Sequence, residues 1–305
     1  MNHLTIRDKH TKILKYFRLL LFLPLLCLSC EEPIVAEESS PEKGAAEDHS
    51  NANLIVSVYQ LAQTPFLADN RSATTDACTR LNFAIYDQDG SRVKQVNQTS
   101  DMADFGQAYF QLPEGTYQLV VVAHSSNGNP TMTELGKIKF TNAQGFTDTF
   151  MDAQTVTVSE QPKTLSLSLR RIVSLCRFIM TDEYPEDVSR VQFQYKGGSG
   201  AFDAKTGLGS VNSIQTVTFD ASQGVKQFDL YTFLHDKEGT IHLVVTAYSA
   251  DNTVLLEKEF DIPMKQNCIS CVSGPLFSGT NTTTHSVTVS ILIDTTWDDT
   301  LYYTF

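Results

Sequence analysis

The stretch Thr164-Leu-Ser-Leu-Ser-Leu169 shows most clearly what kind of fold this sequence encodes. Leucine alternates strictly with threonine or serine. Because successive side chains of a β-strand point to opposite faces, this period of two places three leucines on one face and three hydroxyls on the other. The pattern predicts a strand in a sheet that has one buried face and one solvated face.

Short runs of strand length recur along the chain, separated by turn residues. Leu54–Tyr59 is rich in β-branched residues, and two further runs flank Asp87-Gln-Asp-Gly90, whose glycine suits a hairpin turn. No stretch of the sequence sustains a helical period. Many short strands with turn signals between them predict an all-β protein built from β-sandwiches.

One segment of the sequence resembles another at a fixed offset. Thr116–Ser125 aligns with Thr240–Ser249 at an offset of 124, and six of the ten positions are identical. Each copy comes after a glycine and precedes a polar turn, as expected for two related units. We therefore predict an N-terminal β-sandwich over residues 53–169 and a C-terminal β-sandwich over residues 170–305.

The N-terminus has the organisation of an export signal. A basic flank precedes the apolar run Leu19–Leu26, which is far shorter than the ~20 residues needed to cross a membrane. Cys30, which comes next, resembles the lipobox cysteine of bacterial lipoproteins, where the signal is removed and the thiol is acylated. We predict a lipoprotein signal peptide over residues 1–29 and a lipidated flexible tether over residues 30–52, which contain little to bury. The alternative is a plain secretory signal with a chance cysteine after it.

The residues next to the lipobox indicate where the protein is exported. Each buried methylene of an acyl chain contributes ~0.8 kcal/mol, so two chains would hold Cys30 stably in a membrane. Glu31-Glu32 resembles the tag that sends some lipoproteins of the Bacteroides group to the outer face of the outer membrane. We therefore expect an outer membrane lipoprotein that is exposed on the cell surface.

The charge balance argues against nucleic acid as a partner. Residues 1–29 hold five of the 23 basic residues and one of the 35 acidic residues, so the mature chain has a net charge of −16. Nucleic-acid binding depends on neutralising phosphates with Lys and Arg, which this composition disfavours.

No catalytic or cofactor-binding motif stands out. The glycine-rich segment Gly197–Gly207 resembles a phosphate loop, but it lacks the glycine before Lys205 and no helix comes after it. It is interpreted as a flexible turn or a surface-recognition loop. We expect no enzymatic activity and no cofactor.

Four cysteines remain in the mature chain besides the one at the lipobox. They are Cys78, Cys176, Cys268 and Cys271, which permit three full pairings that the sequence cannot separate. The Cys268-x-x-Cys271 spacing lacks the second pair of ligands that a structural zinc site requires. Buried thiols or a local disulfide are therefore preferred to a metal site.

Several segments, taken in order, resemble the FimB-like family of fimbrial anchor and accessory subunits of the Bacteroides group. These segments are the lipobox start, Phe83–Asp87, Leu112–Val120, Tyr195–Gly200, Phe260–Met264 with Asn267, and Ser273–Gly279 leading to Trp297. The resemblance implies two transthyretin-like (Greek-key) domains, no enzymatic activity, and fimbrial subunits of the same system as partners.

The family also implies a mode of assembly. In the related stalk subunits, cleavage after an arginine removes the lipidated first strand, and the C-terminal strand of a neighbour fills the groove. Here the first strand would be Leu54–Tyr59. The candidate donor is the tail in which Leu301, Tyr303 and Phe305 alternate, although the same tail could be a simple edge strand.

Two arginines could serve as cleavage points. Arg71 and Arg80 lie in or beside the loop after the first strand. An anchor must keep its lipid, so the resemblance to anchor subunits predicts that neither bond is cleaved.

The sequence thus predicts a lipid-anchored accessory or anchor subunit of a cell-surface fimbria, which joins its partners by β-strand addition. The alternative is a glycan-binding surface lipoprotein of a polysaccharide-uptake system. Its stacking platform would be Trp297, the tyrosines or the glycine-rich loop, although a tryptophan near a C-terminal strand more often packs on the core. The position at the base, shaft or tip of a fimbria stays open.

Overall fold

The computed structural model describes residues 49–61, 64–65, 78–141, 146–278, 290–292 and 299–304. All of them lie in one compact unit, residues 48–305.

The described residues form β-strands and one short 3-10 helix, Ala221–Gln223. Those up to residue 171 are β1 (Leu54–Leu61), β2 (Thr64–Pro65), β3 (Arg80–Tyr86), β4 (Arg92–Thr99), β5 (Gln107–Phe110), β6 (Gly115–His124), β7 (Thr131–Glu134), β8 (Lys137–Lys139), β9 (Thr149–Val158) and β10 (Lys163–Arg171). The later ones are β11 (Ser174–Met180), β12 (Arg190–Lys196), β13 (Ala201–Asp203), β14 (Leu208–Gly209), β15 (Gln215–Asp220), β16 (Gln227–Thr232), β17 (Glu238–Tyr248), β18 (Val254–Lys265), β19 (Cys268–Gly274), β20 (Ser290–Leu292) and β21 (Asp299–Thr304). The predicted all-β class is confirmed.

The same strand order occurs twice along the chain. The strands up to β10, here called the first strand set, are neighbours in the orders β4-β3-β6-β9 and β5-β1-β10. The strands from β11 to β19 form the second strand set, in the orders β15-β12-β17-β18 and β16-β11-β19. In each set the first strand runs parallel to the last, β1 with β10 and β11 with β19. The two segments that resemble each other in sequence form the equivalent strands β6 and β17.

The alternating leucines behave as their period predicts. In β10, Leu167 and Leu169 are buried and Leu165 is half-buried, whereas Thr164, Ser166 and Ser168 are exposed. The leucine side chains belong to or pack against the core between the two sheets of the first set. The equivalent core of the second set lies between its own two sheets.

A third apolar core joins the two strand sets. β3 is buried at every position after its first residue, because Leu81, Phe83 and Ile85 face the first core while Ala84 and Tyr86 face the third. A small four-stranded sheet, β14-β13-β8-β7, is built from both parts of the chain. The third core also holds side chains from this sheet and from the second set: Ile138, Leu175, Phe202, Phe233 and Ile269. The transthyretin-like topology and a domain division at residue 169 stay predictions.

Candidate functional site: the first strand and the C-terminal strand

β1 is an interior strand of its sheet. It pairs with β10 in parallel on one side and with β5 antiparallel on the other. Leu54, Val56 and Val58 are fully buried, and Leu61 is 2% exposed. Burying each such aliphatic side chain contributes about 1.5–3 kcal/mol, so this strand is a large part of the first core.

Asn53 fixes the point where β1 begins. Its side-chain amide donates to the carbonyl of Leu112 at 2.7 Å and its Oδ1 accepts from the N–H of Leu112 at 3.0 Å. Its backbone N–H donates to the carbonyl of Phe110, and its carbonyl accepts from the N–H of Lys163, both at 3.0 Å. The start of β1 is therefore held by both neighbouring strands.

The two candidate cleavage points differ in what the structure says of them. Arg71 lies outside the described residues. Arg80 begins β3, where it pairs with Thr99 and His124, and the next residue, Leu81, is fully buried. A protease could reach the bond after Arg80 only if β3 first left its sheet, because a chain held in a ladder is not presented to an active site.

A buried polar network closes the end of β3 and β6. His124 is fully buried; its Nε2 lies 2.8 Å from Oδ1 of Asn82, and its Nδ1 accepts from the N–H of Ser126. Nδ2 of Asn82 donates to the side chains of Asn97 and Asn129. Burial lowers the pKa of His124 to about 3, and the charge of the nearby Arg80 adds to this, so the imidazole stays neutral.

β21 contains two of the three candidate donor residues, Leu301 and Tyr303, and is held within the chain. It runs parallel to β19 over Cys268–Ser273 and pairs antiparallel with β20. Tyr303 is 6% exposed and belongs to the second core, and burial raises its pKa. Leu301 pairs through its backbone with Ser270 and Ile291, and Phe305 lies outside the described residues.

Cys78, Cys176, Cys268 and Cys271 are buried, and no disulfide joins them. Cys268 and Cys271 are three residues apart in one strand, so their side chains point to opposite faces and cannot form the local disulfide that was one alternative. Burial raises the pKa of Cys78 to about 12 and also raises that of Cys176, which keeps both thiols protonated and unreactive. Within the described part of the chain, no three His, Cys, Asp or Glu side chains cluster as a metal site would require.

The glycine-rich segment, interpreted from the sequence as a flexible turn or a surface-recognition loop, contains the strand β13 and is buried at Gly198, Ser199 and Gly200. A Cβ on Gly197 would lie 2.4 Å from the carbonyl oxygen of Thr240, and one on Gly198 would lie 2.0 Å from Oγ1 of Thr232. The glycines are there because the backbone packs against neighbouring strands more closely than a side chain allows.

The segment lines one side of an open groove of about 510 Å³. The groove is also lined by His242, whose Nδ1 lies 2.9 Å from the carboxylate of Asp261. The described residues that line this groove include no Trp, Tyr or Phe side chain on which a sugar could stack. Trp297, the candidate glycan contact, lies outside the described residues, as does the candidate lipidation site Cys30.

Comparison with known proteins identifies the family. A sequence model of the family described as fimbrillin-A associated anchor proteins Mfa1 and Mfa2 matches residues 47–297. The chain belongs to this family. It is accordingly a fimbrial protein of the cell surface and not an enzyme, as the resemblance had implied.

Solved structures of similar proteins include three with fimbrial or adhesive descriptions. A candidate adhesin of Bacteroides ovatus is 18% identical, with a TM-score of 0.48 and coverage of 72% of this chain and 88% of that one. A fimbrial assembly protein of Parabacteroides distasonis is 14% identical (TM-score 0.40, coverage 73% and 89%). The fimbrial anchor protein Mfa2 of Porphyromonas gingivalis is 12% identical (TM-score 0.39, coverage 67% and 80%).

No curated protein matches this chain significantly. Among the residues that the structure describes, no helix is long and apolar enough to cross a membrane.

Proposed function

We propose that this Mfa2-family protein is a lipid-anchored accessory or anchor subunit of a fimbria, which joins its partner subunits by β-strand addition. It would comprise a signal peptide (1–29), a tether acylated at Cys30 (30–52) and two transthyretin-like sandwiches (53–169 and 170–305). The acyl chains would hold it in the outer membrane, facing outward.

The observation that carries the proposal is the position of β1. The strand is bonded on both sides and buries four aliphatic side chains, so the groove that a donor strand would fill in a stalk subunit is filled by the chain itself. A retained first strand leaves the tether, and the lipid at its start, connected to the folded part. Such a subunit is suited to end a fimbria at the membrane.

The C-terminal strand is the proposed donor. β21 has the alternation that β-strand addition requires, with an aromatic side chain at Tyr303 that fills the core in its present place. It is held by one parallel ladder of six residue pairs and by the three-residue strand β20, so its exchange between chains would break only these two sets of backbone bonds.

Metabolic labelling with palmitate tests the anchor. The parent protein should incorporate label and fractionate with the outer membrane, whereas Cys30→Ser should do neither. A Cys30→Ser protein as radioactive as the parent contradicts the proposal.

Co-purification tests the donor. Fimbrial subunits should purify with the parent, and deletion of residues 301–305 or Tyr303→Ser should remove them. Tyr302→Ser, on the opposite face of the same strand, is the matched control and should retain them. If subunits purify undiminished with the Tyr303→Ser and deletion variants, β21 is not the donor.

A further inference from the structure

One edge of the first strand set has no neighbour among the described residues. β9 and β10 pair only at Phe150–Met151 with Arg170–Arg171 and then separate, because β9 continues into one sheet of the sandwich and β10 into the other. Along Lys163–Leu169, no strand of the described chain pairs with the side of β10 that faces away from β1.

The backbone groups on that side can be assigned from the neighbouring ladder. The N–H of Lys163 donates to the carbonyl of Asn53, so the odd-numbered residues of β10 bond to β1. The peptide groups of the even-numbered residues point away from β1. The even-numbered Ile172 confirms this, because its N–H donates to the carbonyl of Thr149. The peptide N–H and C=O groups of Thr164, Ser166 and Ser168 therefore face the open side.

The second strand set shows what can occupy this position. β19 is the counterpart of β10, since it runs parallel to the first strand of its own set. Its far side is covered over Cys268–Ser273 by β21, which is parallel to it and places Tyr303 in the second core. The stretch of β10 that begins at Lys163 corresponds to this covered stretch of β19.

The edge of β10 also lacks the features that prevent strand addition. β18, the outer strand of a neighbouring sheet, carries Glu257, Glu259 and Asp261 and has Pro263 within it, all of which hinder pairing with another chain. From Thr164 to Leu169 there is no charged residue and no proline. Leu165, half-buried at the rim of the first core, offers apolar surface to an incoming side chain.

We propose that this edge of β10 binds the C-terminal strand of another fimbrial subunit, in parallel, as β19 binds β21. The inference rests on the proposed function in that the partner is a fimbrial subunit. The incoming strand bonds to the peptide groups at Thr164, Ser166 and Ser168, and its alternate apolar side chains pack beside Leu165. The protein then donates a strand from its second set and accepts one on its first, with β1 still in place.

The test uses the full mature chain and a fluorescein-labelled peptide of residues 299–305, which includes β21, the strand that pairs with β19. Ser166→Pro removes an N–H that faces the open side and adds bulk there, while the bonds to β1 remain. Ser166→Ala is the matched control, since it keeps the backbone donor. We expect the parent and Ser166→Ala to bind the peptide equally, and Ser166→Pro to bind about tenfold more weakly.

Hydrogen exchange locates the peptide. Bound peptide should slow exchange at Thr164, Ser166 and Ser168, and thermal unfolding should show that Ser166→Pro retains its fold. Equal peptide binding by Ser166→Pro, or protection confined to β19 through displacement of β21, overturns the inference. So does concentration-dependent dimerisation of the parent that Ser166→Pro abolishes, because the occupant would then be a second copy of this chain.

The outcomes separate this inference from the proposed function. If deletion of residues 301–305 removes the fimbrial subunits while the peptide fails to bind β10, the donor role stands and the acceptor role is wrong. If the peptide binds β10 while the deletion has no effect on co-purification, the acceptor role stands and the donor role is wrong.

Discussion

The two strand sets have one strand order and differ at their last strands. β10 has β1 on one side and, along Lys163–Leu169, no described neighbour on the other, whereas β19 lies between β11 and β21. The second set thus has a further strand, β21, beside its last strand, at a position where the described residues of the first set have none. The difference teaches that the same strand order can end in a last strand with one described neighbour or with two, depending on whether a further strand of the chain pairs with it.

The equivalent phenylalanines Phe83 and Phe193 test whether the two sets unfold together. Each is fully buried in its own core, opposite Val121 and Val245, which align between the repeated segments. Substitution of either by Ala should lower the free energy of unfolding by about 3–5 kcal/mol. Because the third core joins the sets, guanidinium unfolding monitored by fluorescence and by circular dichroism should show a single transition in both variants. Two separated transitions would show that the sets are independent.

The two sets carry different residues at one pair of equivalent positions: the first set has His124 where the second has Tyr248. The folded pKa of His124, about 3, lies below the value of about 6.5 for an unfolded histidine, so protonation favours the unfolded chain. Its contribution to stability is complete above about pH 6.5 and is lost as the pH falls towards 3, by up to about 4 kcal/mol.

The control for this pH dependence is His124→Gln, which keeps hydrogen-bonding groups but cannot titrate. It should be less stable than the parent at pH 7 and should lose less stability between pH 6.5 and pH 4. Denaturant midpoints over this range measure both. Parallel pH profiles for the two proteins would show that another group causes the loss.

Two arginine–aspartate pairs differ in how far the arginine is buried: one lies where the two strand sets meet, and the other is closer to solvent. Arg171 is bonded to Asp148 at 2.7 and 2.8 Å with a side chain 6% exposed, and it also reaches Asn267, so it links the two sets. Arg177 makes a similar two-bond pair with Asp229, but its side chain is 32% exposed.

Arg171→Ala should therefore cost about 3 kcal/mol and Arg177→Ala about 1 kcal/mol or less, since an exposed pair is screened by water. Thermal unfolding of the two variants at low and high salt measures the difference. Equal losses for both variants would contradict the structural role assigned to Arg171.

A local effect is expected where each first strand begins. Asn53 bonds twice to the backbone of Leu112, whereas the residue before β11 is the apolar Val173, which packs in the third core. Asn53→Ala should cost about 1–2 kcal/mol, the sum of two modest hydrogen bonds. Hydrogen exchange should show that the loss is local, with faster exchange at the start of β1. Unchanged exchange there would show that the side chain does not hold the strand.

The sequence by itself determined the local features of this protein. The alternation in Thr164–Leu169 indicated a strand with one solvent-exposed face. The resemblance of Thr116–Ser125 to Thr240–Ser249 correctly identified β6 and β17 as equivalent strands. Both conclusions depend on neighbouring residues, whose side-chain directions result from backbone geometry alone. The family resemblance depended on the order of short segments, which is also a property of the sequence.

Only the tertiary structure decided which edges are covered. That Cys268 and Cys271 point to opposite faces of a strand depends on β19 being a strand, and that Gly197 packs tightly depends on the position of Thr240. The pairing of β21 with β19, and the lack of a described partner beside β10 along Lys163–Leu169, both concern strands that are far apart in the chain. Hydrogen bonds between strands involve the backbone, which is chemically the same at nearly every residue, so side-chain patterns alone could not specify these partners.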